Sequence, residues 1–184
     1  MPFTSDKNED FGAILVNSKV FNDERGYIFE LYKKSAFKEF GIDENFVQEN
    51  VSFSKKNVIR GLHYQKDPDA QGKLVICLRG KVLDVAVDVR KGSPHYGKWK
   101  STILEEGSGN LFYLPPGFAH GVLTLTDDVV IMYNCTKEYA PDSERGIIWN
   151  DPDLAIDWGT TSPIVVPRDA SFPLFKDADN NFKY

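Results

Sequence analysis

The sequence predicts an all-β protein, an antiparallel jelly-roll barrel with one or two short helices, and three observations carry that prediction. Apolar residues fall in short runs or alternate with polar ones, at the period of two that belongs to strands. Gly, Pro, Asn and Asp break these runs at short intervals. With 184 residues, 41% hydrophobic and 27% charged, the chain has the size and composition to form one domain, 1–184, around a sizeable core.

The elements follow in order. Ser35 is placed to cap a helix, with Phe37 and Phe40 on one face and Gly41 at its C-terminal end. Phe46 to Ser54 and Val58 to His63 read as strands separated by Lys55-Lys56-Asn57. Leu74 to Arg79 reads as a buried strand that turns tightly at Gly80-Lys81 into Val82 to Val89. On that second strand Asp84, Ala86 and Asp88 share one face, and Val85, Val87 and Val89 the other. Val122 to Thr126 and Val129 to Cys135 repeat this hairpin pattern about Asp127-Asp128, with Val129, Ile131, Tyr133 and Cys135 pointing one way. From Asp151 the chain is rich in Pro, Asp and Thr, which predicts an irregular tail with a short helical turn. No internal repeat or linker interrupts it.

Charge and composition narrow the function. A net charge of −5 argues against an electrostatic grip on nucleic acid or anionic membrane. Met1 to Phe11 is polar and acidic, unlike a secretory signal, and no apolar run is long enough to cross a bilayer. Cys77 and Cys135 sit in apolar strand-like segments and read as buried free thiols. A cytoplasmic protein is the expectation.

The segment Gly109 to His120 contains Pro-x-Gly-x-x-His, a motif of cupin-type barrels, in which Pro115 and Gly117 make a turn and His120 follows on the next strand facing the interior. Metal-binding barrels of this kind add two histidines and a glutamate from an earlier His-x-His segment. Here that segment is His63-Tyr64-Gln65, with one histidine, and His95 lies in a polar loop. With three histidines in the chain, a metal site is not expected.

What remains for chemistry is His63, His120, Lys73 and Tyr133 around a barrel mouth, with several arginines and carboxylates. Any one alone reads as a satisfied interior histidine or a solvated lysine. Together they supply a base that titrates near neutrality, a phenolic acid, and a cation for a developing enolate: the parts for abstracting a proton beside a carbonyl. Arg25 and Arg60 are candidates to hold a phosphate through paired hydrogen bonds, against the ordinary alternative of surface ion pairs. Neither a Gly-x-Gly-x-x-Gly turn, a Walker loop nor a Gly-x-Ser-x-Gly elbow occurs.

Seven segments in order carry a family resemblance: Phe21 to Glu30, Gln48-Glu49-Asn50, Arg60 to Gln65, Gln71 to Val75, Asp84 to Arg90, Pro116 to Gly121, and Trp149 to Pro152. From about Ile14 to Asp169 the chain resembles the dTDP-4-dehydrorhamnose 3,5-epimerase family. The resemblance implies a homodimeric cupin-type jelly roll with no metal or other cofactor. It implies a reaction on a dTDP-linked 4-keto-6-deoxy sugar: inversion at C3 and C5 of dTDP-4-dehydro-6-deoxy-D-glucose, giving dTDP-4-dehydro-L-rhamnose. Position by position it makes His63 the base, Tyr133 the acid and Lys73 a contact to the sugar oxygens. Asp169 would orient His63, the alternative being that it caps a turn before Ala170-Ser171. Arg25, Glu30, Gln48, Glu49, Asn50, Arg60, His120, Glu144 and Arg168 would line the nucleotide-sugar site, and Tyr139 would stack on thymine. The sequence departs from the family in Glu49, where aspartate is usual, and in Arg168, where lysine is common. Met1 to Phe11 matches no family segment and leaves room for an N-terminal strand exchanged between subunits.

Three alternatives stand beside this reading. One is a mono-epimerase or 3,4-ketoisomerase on the same scaffold, the second a metal-dependent cupin, and the third a sugar-binding barrel without catalysis.

Overall fold

The computed structural model describes residues 2–6 and 11–184. Its strands are β1 (Phe3–Asp6), β2 (Ile14–Ser18), β3 (Phe21–Asp23), β4 (Gly26–Ile28), β5 (Gln48–Ser54), β6 (Ile59–Gln65) and β7 (Lys73–Arg79). They continue with β8 (Lys81–Asp88), β9 (Trp99–Glu105), β10 (Asn110–Leu114), β11 (Phe118–Thr124), β12 (Val129–Cys135) and β13 (Glu144–Gly146). Two short helices, α1 (Lys34–Glu39) and α2 (Pro167–Ala170), complete the regular structure with single 3₁₀ turns at Pro141–Ser143 and Phe175–Asp177.

Two antiparallel sheets face each other, one ordered β1-β2-β10-β7-β12-β5 and the other β13-β6-β11-β8-β9. Inward-facing Val75, Cys77, Phe112, Leu114, Val129 and Ile131 of the first meet Val82, Ala86, Leu104, Phe118 and Val122 of the second in the central core. The outer face of the first sheet is covered by Phe3, Ala36, Phe37 and Ile42. That of the second is covered by the tail through Ile147, Leu154, Trp158 and Phe182. Both faces of β8 are therefore covered, which is why Val85, Val87 and Val89 are as deeply buried as Ala86. Each such aliphatic side chain contributes roughly 1.5–3 kcal/mol by leaving water.

The two expected hairpins are corners instead. β7 and β8 lie in different sheets, as do β11 and β12, so neither pair shares a ladder. Short turns between strands permit a hairpin, but an inward face on both strands favours placing one in each layer of a sandwich. The corners interlock: Lys81 N–H donates to Thr126 Oγ1 at 3.0 Å, and a Cβ on Gly80 (φ +79°) would sit 2.5 Å from that same oxygen. The first helix begins two residues earlier than expected, at Lys34 with Lys33 rather than Ser35 in the N-cap position, and no side chain caps it. Gly41 closes it at φ +84°, its N–H on the Lys38 carbonyl. β1 pairs with β2 of the same chain, and Met1 and residues 7–10 lie outside the described residues. No helix of the described residues is long and apolar enough to cross a membrane.

Candidate active site

Two strands from facing sheets build the site. On β12 the period of two turns Ile131, Tyr133 and Cys135 inward, and on its neighbour β5 it turns Gln48, Asn50, Ser52 and Ser54 the same way. Lys73 follows from the register, since it pairs with Cys135 across β7 and β12. Its ammonium lies 5.9 Å from the centre of the Tyr133 ring.

On β6 simple alternation fails. Against β11, His63 pairs with His120 but Arg60 pairs with Val122, so three steps on β6 match two on β11. This bulge puts Arg60 and His63 on the same side, where alternation would separate them, while Leu62 and Tyr64 turn outward into the tail. Gly61 makes the bulge at φ +126°, and a Cβ there would lie 2.6 Å from both the Gly121 Cα and the His120 carbonyl oxygen. Only glycine fits that approach.

The tail supplies the rest. Helix α2 brings the Asp169 carboxylate, 2% exposed, to 3.0 Å from His63 Nε2. The same carboxylate accepts from the Gly61 N–H at 3.2 Å and from Arg168 Nε at 3.2 Å. It is thus directed at the histidine rather than at a helix cap, since α2 has no side-chain cap bond. Arg168 also approaches His63 Nε2, but at 3.4 Å. The shorter contact to an anion determines the tautomer: Nε2 carries the proton toward Asp169, and Nδ1 keeps the free lone pair. Phe172 packs edge-on to the imidazole, 5.6 Å between ring centres.

The electrostatics separate the roles. Burial pushes the His63 pKa down, Asp169 opposes it through hydrogen bond and charge, and Lys73 and Arg168 add to the lowering. Burial also pushes Asp169 up, but the bonds to His63 and Gly61 and the Arg168 charge outweigh it and hold the carboxyl below its usual range. Burial raises Tyr133, with Cys135 and Glu144 adding to the rise and Arg60 opposing it, so the phenol keeps its proton at neutral pH. Lys73 is lowered by burial, with Cys135, Glu144 and Asp84 acting against the shift.

These groups line one cleft with two lobes that share His63, Lys73, Tyr133 and Glu144. A polar lobe of 260 Å³ is bounded by Gln48, Asn50, Gln65, Gln71 and Tyr139. A second lobe of 400 Å³ is bounded by Arg60, His120, Arg168 and Asp169 and by the apolar Val58, Ile59, Val122, Ile131, Ile164 and Val166. At the mouth Glu144 Oε2 accepts from the Tyr139 hydroxyl at 2.8 Å and from Arg168 at 2.9 Å. Gln48 Oε1 accepts the Tyr139 N–H at 2.7 Å, and the ring itself is 51% exposed.

Three expected site residues stand outside this cleft in the single chain. Arg25 is paired with Asp23 in the exposed β3–β4 hairpin, and Glu30 borders a separate hollow with Pro2, Lys19 and Phe21. Glu49 points outward with Val51 and Phe53, on the opposite side of β5 from Gln48 and Asn50. Asp84 was absent from the expected set. It is wholly buried and lies 2.9 Å from His120 Nε2, a diagonal pair across β8 and β11. Its inward parity in the sequence was the available signal. His95 sits away from the cleft against Phe11, 5.7 Å between rings. Among the described residues no three His, Cys, Asp or Glu side chains converge as metal ligands.

A jelly roll with a carboxylate-backed histidine on one sheet and a protonated phenol on the other places the parts for proton transfer in one cupin-type cleft. A family model described as dTDP-4-dehydrorhamnose 3,5-epimerase matches residues 10–177. The 3,5-epimerase of Salmonella typhimurium is 45% identical over 168 residues, covering 90% of this chain and 92% of its own. A Legionella pneumophila 3,5-epimerase solved with dTDP-4-keto-L-rhamnose superposes with a TM-score of 0.91 at 40% identity, covering 96% of this chain and 95% of the other. A 3'-monoepimerase from Streptomyces bikiniensis, solved with dTDP-quinovose, gives 0.85 at 36% identity, covering 90% and 84%. The chain belongs to the dTDP-4-dehydrorhamnose 3,5-epimerase family.

Proposed function

We propose that this enzyme inverts C3 and C5 of dTDP-4-dehydro-6-deoxy-D-glucose to give dTDP-4-dehydro-L-rhamnose. The observation that carries this reading is the 3.0 Å His63–Asp169 pair facing Tyr133 across one cleft. His63 Nδ1 removes the proton from the carbon beside the C4 ketone, and Asp169 stabilises the imidazolium that forms. Lys73 steadies the enolate oxygen as charge develops there. Tyr133 returns a proton to the opposite ring face, which completes the inversion. Both carbons flank the ketone, so one set of groups serves twice. Every step is a proton transfer between side chain and sugar, and no cofactor is invoked. Gln48, Asn50, Arg60, His120, Glu144 and Arg168 hold the nucleotide sugar, and the exposed Tyr139 ring stacks on thymine.

We also propose a homodimer. Val47, Val51 and Phe53 expose a run of apolar surface along β5, an edge strand, and the β3–β4 hairpin exposes Phe21, Tyr27 and Ile28. A second copy covering these surfaces would account for Arg25, Glu30 and Glu49 as residues that serve a neighbour's cleft. Light scattering reading a single-chain mass would refute this. The unpaired thiols Cys77 and Cys135 suit the reducing cytoplasm, which we take as its location.

The test is incubation with the ketosugar in D₂O, followed by NMR and by coupling to a rhamnose-forming reductase. Deuterium at both C3 and C5 with L-rhamnose product supports the reading. The second reading is mono-epimerisation, favoured by the likeness to a 3'-monoepimerase, and exchange at C3 alone would establish it instead.

A further inference from the structure

Among the described residues, four buried side-chain atoms have no hydrogen-bond partner in the protein: Glu44 Oε2, Ser52 Oγ, Lys100 Nζ and Asn134 Oδ1. Of these residues Ser52 alone borders the catalytic cleft. It sits on the inward face of β5 between Asn50 and Ser54, opposite Ile131 and diagonal to Tyr133. Its neighbours are already engaged. Ser54 Oγ accepts from Arg60 Nε at 3.0 Å, and Asn50 takes the Gln48 amide at 3.1 Å. The surrounding lobe mixes the apolar Ile59, Val122, Ile131 and Val166 with polar and charged groups, and none of them bonds the Ser52 hydroxyl. A polar group kept in such a place costs stability unless something else satisfies it.

We propose that Ser52 is a substrate-binding residue whose hydroxyl bonds a ring hydroxyl of the sugar during turnover. A rotation about its Cα–Cβ bond carries Oγ between staggered positions and brings it to the lobe. A neutral hydroxyl on the inward face beside Tyr133 matches a neutral sugar hydroxyl. The diphosphate and base have their own partners in the arginines and at Tyr139. The contact helps to set which ring carbon faces His63, and it rests on the sugar reading given above.

The experiment compares wild type and Ser52→Ala in the coupled assay, with dTDP binding by calorimetry and thermal melting alongside. Loss of one neutral hydrogen bond to substrate lowers kcat/KM about three- to tenfold. The dTDP affinity stays unchanged, and Tm stays level or rises because no bond within the protein is removed. Unchanged kcat/KM overturns the proposal. So does a matching loss of dTDP affinity, which would place the hydroxyl on the nucleotide, or a fall in Tm that accounts for the lost activity. A wild type inactive on the ketosugar would defeat the parent reading and this inference together, whereas an unaffected variant of an active enzyme defeats this inference alone.

Discussion

Replacing Asp169 with Asn tests the catalytic reading most directly. The carboxylate is almost wholly buried and stands 3.0 Å from His63 Nε2. When His63 takes a proton it becomes a cation beside this anion. Two unit charges about 4 Å apart at an effective dielectric of about 20 interact by about 4 kcal/mol. Arg168 bonds the same carboxylate at 3.2 Å and erodes part of that attraction. A net loss of about 3 kcal/mol in the transition state follows, which is roughly a 10²-fold fall in kcat. The amide can also offer an N–H to the ring and reverse the tautomer. The pH profile adds a second readout. The base works when neutral, so activity falls as pH drops through the His63 pKa, which burial holds below the ordinary histidine value. Asp169 is the group that raises it, so the acid limb of kcat/KM in Asp169→Asn moves to still lower pH. Stopped coupled assays across pH, on protein shown folded by circular dichroism, measure both effects. A variant within threefold of wild type, or an acid limb displaced upward, would refute the reasoning.

Tyr133→Phe removes the acid and leaves the base, so inversion falls about 10²- to 10⁴-fold while solvent deuterium still enters the substrate, as NMR in D₂O would show. Lys73→Met removes the cation beside the enolate and lowers kcat about 10²- to 10³-fold, with a smaller effect on dTDP binding by calorimetry. Gly61→Ala forces a Cβ to within 2.6 Å of the backbone of Gly121 and His120 at a φ of +126°, so it destabilises by about 2–5 kcal/mol, measured by urea unfolding.

What the sequence determined alone is whatever alternation and residue chemistry control. The inward set Lys73, Val75 and Cys77, the inward Tyr133 and Cys135, the all-β class and the irregular tail were legible because a strand's period is two and turns use a small alphabet. The family resemblance implied roles for His63, Tyr133, Lys73 and Asp169 from the sequence alone, although only His63 and Lys73 lie within the seven segments. Tertiary structure decided what depends on partners distant in the chain. Tight turns at Gly80 and Asp127-Asp128 became corners between sheets, because strands with two apolar-facing neighbours are placed by layer packing and not by loop length. The Gly61 bulge reversed the parity that would have separated Arg60 from His63, since an extra residue in a ladder shows itself only against its partner strand. Asp169 meets His63 across 106 positions because the tail folds over the second sheet, and the outward face of Glu49 followed from the pairing of β5. The residue types of the proposed acid and base could be read in the sequence, whereas the cleft that brings them together is a property of the fold.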